Sequence, residues 1–343
     1  TLPEALALVL IPHSPAARTP DGTEPASLRA ARQRLYADWA QAHPEARAVA
    51  ELMPAPLRFR GLDQLPFAAP HLSNALLAHA GHEAMIRTTL DSALQHLLEE
   101  RIRNYVRAQS RIGIVNASAM LVDVRDLSVK ALVGSANFFD GSIQGQVNGV
   151  FAKRSPGSAL KPFLYALAMD QGLIHPASVL KDAPTAFGPF SPDNFDGSFL
   201  GPITAHDALI RSRNIPAVLL ASRLSSPDLY DFLKLSGVSR MASREHYGLA
   251  LTLGGGEVTM EEMARLYAML ANRGVLHQLR YRQEEPRDAG MRLLSEEASF
   301  MVRDILKDNP RPDEVAAQPA ARLPVAWKTG TSWGFRDAWS AGM

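Results

Sequence analysis

A serine hydroxyl becomes a nucleophile only beside a base, and this chain writes one such pairing at helical spacing. Ser158 and Lys161 stand in Arg154-Ser-Pro-Gly-Ser158-Ala-Leu-Lys161-Pro162. Residues three apart on a helix share a face and can touch. Pro162 locates the helix start, because proline is tolerated only in the first turn, where its missing N–H has no partner to lose. Ser158 is therefore expected at the positive end of that helix, among unpaired N–H groups. An amine can serve as the base if burial and cationic neighbours lower its pKa. Ser212-Arg213-Asn214, just before Ile215-Pro216, offers a second hydroxyl and a carboxamide, a pair able to relay a proton and to bind an amide. Trp327-Lys328-Thr329-Gly330-Thr331-Ser332 reads as a strand with Lys328 and Gly330 on one side and Thr329 and Thr331 on the other. Its glycine admits close approach of another chain to the strand edge. Taken singly, each has a plain structural explanation: a chance spacing, a turn or cap before Pro216, a strand end.

The elements that must position these residues can be read from periodicity. The run 158–171 reads as a helix, and further helical stretches fall at 204–222, 226–235, 259–272 and 295–307. Leu90, Leu94, Leu97, Leu98, Ile102 and Tyr105 make a helical stripe that follows the early-turn acid Asp91. Ala119–Val124 and Val129–Val133 read as strands around a polar break, and Val325–Thr331 and Ala338–Met343 as strands at the other end. Strands at both ends with helices between imply an α+β class in which the terminal strands share a sheet. The first ~85 residues are rich in proline and read as a connector carrying one or two helices.

Composition narrows the chemistry. The 343 residues carry 36 Lys and Arg against 35 Asp and Glu, a net charge of +1, which argues against a chain-wide electrostatic grip on nucleic acid. At 46% hydrophobic and 21% charged the chain can bury a large core. Cysteine is absent, which excludes disulfides, thiolate metal sites and a cysteine nucleophile. No apolar run reaches the ~18 residues of a membrane span. His79-Ala-Gly-His82, with Glu83, has metal-ligand spacing but lacks a third ligand and reads as solvated histidines. Gly254-Gly-Gly256 lacks the Lys-Ser/Thr of a phosphate loop and reads as a tight turn or close cleft backbone. Arg29, Arg32 and Arg34 read as the solvated side of a helix. No cofactor and no metal are expected.

Together the three motifs say more than they do apart. Ser-x-x-Lys, Ser-x-Asn and Lys-Thr-Gly follow in that order, about 50 and about 115 residues apart. This set resembles penicillin-binding proteins and class A β-lactamases. Flanking stretches resemble the transpeptidase domain of bifunctional (class A) penicillin-binding proteins: Arg87-Thr-Thr-Leu-Asp91-Ser-Ala-Leu-Gln95, Lys161-Pro-Phe-Leu-Tyr165, Asn214-Ile-Pro-Ala217, Leu251-Thr-Leu-Gly-Gly-Gly-Glu-Val-Thr259, Met263-Ala-Arg-Leu-Tyr267 and Ala271-Asn-Arg-Gly274. Gly172-Leu-Ile-His-Pro-Ala-Ser178 and Trp327 through Trp339 resemble the 1C branch of that family. The likeness covers residues 86–343. Residues 1–12 resemble the tail of a preceding glycosyltransferase domain, with 13–85 as the linker.

The resemblance implies a β-lactamase/transpeptidase-like fold, with a central antiparallel sheet flanked by helices and an all-helical subdomain. It implies that Ser158 attacks the penultimate D-Ala carbonyl of a peptidoglycan stem peptide, that Lys161 takes its proton, and that Ser212 with Lys328 passes a proton to the leaving amine. Asn214 would hold the donor amide, and Lys328, Thr329 and Thr331 the terminal carboxylate beside Gly330. The N–H groups of Ser158 and Thr331 would hold the oxyanion, a type of contact worth ~3–4 kcal/mol each. β-Lactams would be trapped as acyl-enzymes. The expected partners are the D-Ala-D-Ala donor and an amine acceptor, and the expected place is the periplasmic side of an inner membrane that anchors the parent protein. Three departures bear on this reading. Ala183–Pro202 has no assigned role, no Glu-x-x-Leu-Asn lies between the second and third motifs, and the sequence stops one strand after Lys-Thr-Gly, so an incomplete sheet is expected. The absence of that glutamate favours a synthetic enzyme over a β-lactamase. The rival readings are a non-catalytic scaffold, marked by β-lactam binding without acylation, and a carboxypeptidase or β-lactamase, marked by rapid turnover.

Overall fold

A computed structural model describes residues 1–44, 50–59, 67–81, 83, 85–310 and 324–343. Two compact units divide at Ala68 and Ala69. The first holds α1 (Leu2–Leu10), a short α2 (Pro15–Arg18) and α3 (Ala26–Ala42). It has a core of its own, because α1 and α3 pack together through Leu6, Ala7, Leu28 and Ala31. Arg32 corrects the solvated-face reading. It is completely buried, its guanidinium donates to Glu24 Oε1 at 2.8 Å and to the carbonyls of Met53 and Ala55, and a periodicity reading cannot see such a distant acid.

The second unit begins at Ala69, earlier than the change of composition near residue 86. Helix α4 (Pro70–Leu77) buries Leu72 in the same cluster as Val129 and Leu132. Helix α5 (Ser92–Gln109) follows, with Asp91 as its N-cap accepting from Leu94 N at 3.0 Å. Strands β1 (Ala119–Asp123) and β2 (Ser128–Val133) pair antiparallel. A 3-10 turn, Gly157–Leu160, then runs into α6 (Lys161–Asp170). Lys161 through Met169 are all buried, as a helix apolar on every side must be. Strands β3 (Val179–Asp182) and β4 (Gly201–Thr204) form a second hairpin.

The expected helix 204–222 is broken. Residues Ala205–Ile210 form α7 and Asn214–Ala221 form α8, with a corner between them. Helices α9 (Leu229–Leu235), α10 (Arg244–Tyr247) and α11 (Met260–Ala271) follow; the last has a capping box from Thr259 and Glu262. A short pair, β5 (Val275–Leu276) and β6 (Met291–Arg292), precedes α12 (Glu296–Lys307), β7 (Trp327–Thr331) and β8 (Ala338–Gly342). Helices α8, α9, α11 and α12 converge on α6 in the main core, where Phe163 stacks on Phe232 and meets Tyr267 edge-on.

The fold is mixed α and β, as expected. The early hairpin β1–β2 and the late hairpin β7–β8 make no ladder with each other among the described residues. Helix α11, which contacts both β1 and β8, backs them instead.

Candidate active site

The turn that carries Ser158 is held on three sides. Trp339 Nε1 donates to Ser155 O at 2.9 Å, Tyr267 donates its hydroxyl proton to Ala159 O at 2.9 Å, and Ser155 Oγ donates to Gly254 O at 2.8 Å. Glycines let three backbones meet here. A Cβ on Gly330 would lie 2.0 Å from Pro156 O, one on Gly157 would lie 2.3 Å from Thr331 O, and one on Gly254 would lie 2.5 Å from Gly157 N. The Ser158 turn is thus clamped between β7 and the Gly254 loop; of the triple glycine, Gly254 is the one that meets it. Ser158 itself is half-buried, and its Oγ makes no hydrogen bond among the described residues.

Lys161 begins α6 and is completely buried. Its Nζ donates to Ser212 O at 2.7 Å and Asn214 Oδ1 at 2.6 Å, with Ser212 Oγ at 3.5 Å. The helical spacing places Ser158 one turn away, yet no hydrogen bond joins the two side chains; the carbonyl and carboxamide oxygens take the amine instead. Burial, then the positive charges of Lys328 and Arg213, push the Lys161 amine well below its ordinary pKa. A neutral amine has two hydrogens. The two short bonds use both and leave a lone pair to receive a proton.

Lys328 is also buried, and its Nζ donates to Ser212 Oγ at 2.9 Å and to Thr329 O at 3.0 Å. Burial lowers its pKa to about 8. In β7 the residues alternate, Lys328 and Gly330 buried, Thr329 and Thr331 exposed, as the strand reading required. The register adds a fact about the backbone. Ala326 and Met343 exchange both hydrogen bonds, and Ser332 N donates to Asp337 O, so the even-numbered residues of β7 face β8. The N–H groups of Thr329 and Thr331 point away from β8, and Thr331 N lies against Gly157 of the Ser158 turn. Ser158 N–H belongs to the first turn of its 3-10 helix, where backbone donors lack intrahelical partners.

Ser212 owes its place to the helix break. Arg213 N donates to Ala208 O and Ser212 N to Leu209 O, the pairing that closes a helix with a left-handed residue. That residue is Ser212, at φ 57°, a position usually given to glycine. A serine held there points its hydroxyl at two lysines, the kind of strain that collects at functional sites. Of the eight residues singled out in sequence, hydrogen bonds join Lys161, Ser212, Asn214 and Lys328, and backbone contacts set the Ser158 turn against Gly330 and Thr331, with Thr329 between them and Lys328 in β7.

Sequence reasoning missed the supports. Tyr267, Trp339 and Gly157 hold the turn, while Asp182, Asn194 and Arg213 hold the corner. All act through backbone or through one another; the stretches that carry the resemblance contain Gly157, Arg213, Tyr267 and Trp339 without marking what they touch. Of the histidine pair, His79 Nδ1 lies 3.0 Å from Ala75 O, and His82 lies outside the described residues; the neighbouring Glu83 pairs with Arg282 at 2.9 Å.

The penicillin binding protein transpeptidase domain family matches residues 117–338. Penicillin-binding protein 1C of Escherichia coli is 37% identical over 343 residues, covering 99% of this chain and 44% of that protein. Penicillin-binding protein 1A of Pseudomonas aeruginosa is 28% identical over 228 residues, covering 62% of this chain and 25% of that protein. The chain spans less than half the length of these curated relatives. The PonA1 protein of Mycobacterium tuberculosis, solved in complex with penicillin V, superposes with a TM-score of 0.61 over 80% of each chain at 18% identity, a likeness of fold.

Proposed function

This chain belongs to the penicillin-binding protein transpeptidase domain family, and from that premise we propose that it is a serine D,D-transpeptidase that cross-links peptidoglycan stem peptides. Ser158 Oγ attacks the carbonyl of the penultimate D-Ala while its proton passes to the Lys161 lone pair. The C–N bond to the terminal D-Ala breaks, and Ser212, linked to both lysines, delivers a proton to the departing amine. An amine of a second stem peptide then attacks the ester, forms the new amide and returns the proton to Ser158. Asn214 has one amide hydrogen left for the donor peptide. Lys328, Thr329 and Thr331 receive the terminal carboxylate beside Gly330. The N–H groups of Ser158 and Thr331 receive the oxyanion, which favours the transition state over the planar carbonyl.

The observation that carries this reading is the convergence of two buried lysines on Ser212, one helical turn from a half-exposed serine. β-Lactams enter the same site as acyl donors, in keeping with the penicillin V complex of PonA1. Peptidoglycan lies outside the inner membrane, so the domain works there, carried by a membrane-anchored parent; among the described residues no helix is long and apolar enough to cross a membrane.

Labelling with a fluorescent penicillin tests the proposal. One stable label per chain, absent in Ser158→Ala, is expected. A folded protein that takes no label, or a label that survives the substitution, refutes it. A label lost by hydrolysis within seconds, or D-Ala release without cross-linked product, would move the assignment to a β-lactamase or carboxypeptidase.

A further inference from the structure

The hairpin loop between β3 and β4, residues 183–200, has no part in the chemistry above. Its length without a helix or strand of its own is uncommon in a compact domain and marks a functional or supporting segment. One buried carboxylate organises it. Asp182, the last residue of β3, is completely buried; its Oδ1 accepts from Asn194 Nδ2 at 2.7 Å, and its Oδ2 accepts from Leu200 N at 3.0 Å and Arg213 Nε at 2.8 Å. Arg213, also buried, donates onward to Asp196 at 2.9 Å and to Ser198 O. Asn194 is 4% exposed, and its Oδ1 accepts from Asn214 N at 2.8 Å. That N–H opens α8 and would otherwise have no partner. Asp193 O then accepts from Asn214 Nδ2 at 2.7 Å. With its NH2 fixed on Asp193, Asn214 can turn only its oxygen to Lys161.

We propose that Asp182 and Asn194 are positioning residues for acylation: they fasten the 183–200 loop to Arg213 and Asn214, and so hold Ser212 and Asn214 against Lys161 and Lys328. The corner 211–213 is gripped from both sides. The lysines pull on the Ser212 oxygens and on Asn214 Oδ1, while the loop holds Arg213, the Asn214 N–H and the Asn214 amide. A left-handed serine persists only where its surroundings over-determine it, and the loop fixes the two residues that follow it. Freed from Asn194 and Asp193, Asn214 could rotate its amide and present NH2 to Lys161, which would cost the amine an acceptor and disturb its lone pair.

This inference rests on the reading of Ser158 as the nucleophile. Saturation kinetics of acylation by a fluorescent penicillin on the full chain test it. Asn194→Ala should lower the maximal acylation rate about 10- to 100-fold, the scale of a misplacement near 1 Å, with the half-saturating concentration and the final one-to-one labelling little changed. A loss of folded protein would instead lower the final labelling and leave the rate of the remaining fraction intact. If Asn194→Ala yields no folded protein, Asp196→Ala carries the test. Its carboxylate is more than half exposed and ties only the loop tip to Arg213, so a two- to fivefold slower rate is expected there. A wild-type rate in the folded variant tested, or an effect on final labelling alone, overturns the loop's role. Absence of labelling in the wild-type chain overturns the nucleophile instead, and the two failures are distinct.

Discussion

Gly330→Ala places one methyl group where the backbone of β7 meets that of the Ser158 turn. The new Cβ would lie 2.0 Å from Pro156 O, 2.8 Å from Ala159 N and 3.0 Å from Ser158 N. All three are backbone atoms, so no flexible side chain can swing aside. Restoring an ordinary carbon–oxygen separation requires β7 and the nucleophile turn to part by more than about 1 Å. Overpacking of this kind costs ~1–3 kcal/mol of stability. The cost to chemistry is larger in proportion. Ser158 N–H and Thr331 N–H stand on the two segments being parted, and a displacement near 1 Å in such a site costs about 10²-fold, equal to ~2.7 kcal/mol of barrier. The assay is the second-order rate of acylation by a fluorescent penicillin, paired with thermal unfolding. Gly141→Ala is the control, since a Cβ there meets nothing within 4 Å and the backbone is not left-handed. The expected result is a rate about 100-fold lower in Gly330→Ala with the protein still folded, and an unchanged rate in Gly141→Ala. Acylation of Gly330→Ala within threefold of wild type would refute the reasoning, because it would mean that the spacing of the two N–H groups does not govern the reaction.

Two further outcomes follow from buried groups. The acylation rate should rise with pH while Lys161 loses its proton, since only the neutral amine accepts one, and should fall through pH about 8 as Lys328 loses its charge; a rate still climbing between pH 7.5 and 9 would refute the assignment of a charged Lys328. The Tyr165 hydroxyl is buried on α6 without a hydrogen-bond partner among the described residues, so Tyr165→Phe should stabilise the domain by ~1 kcal/mol and raise the unfolding temperature by about 2–4 °C, and a lowered one by calorimetry would reveal a hidden partner.

Some of this protein is decided by neighbours in sequence. Pro162 sets where the helix after Ser158 can begin, because a ring without an N–H fits only a first turn, and the structure starts α6 at Lys161. Alternation alone separates Lys328 and Gly330 from Thr329 and Thr331, since strand side chains must point to opposite faces. The order and spacing of the three motifs carry the family. The rest depends on contacts across long stretches of chain. Pro216 already requires the run 204–222 to break just before it, since it fits only the first turn of α8, but the direction of the Ser212 hydroxyl and the hold on the corner come from Lys161, Lys328, Asn194 and Asp182, none of them near it in sequence. Arg32 reads as a surface charge until Glu24 and two carbonyls close around it. Lys161 finds its acceptors at the α7–α8 corner and the start of α8, 51 and 53 residues away, and not on the serine one turn from it. Local rules bear on backbone angles and the direction a side chain faces; which buried charge meets which oxygen is settled only when burial removes water and leaves distant groups as the sole partners.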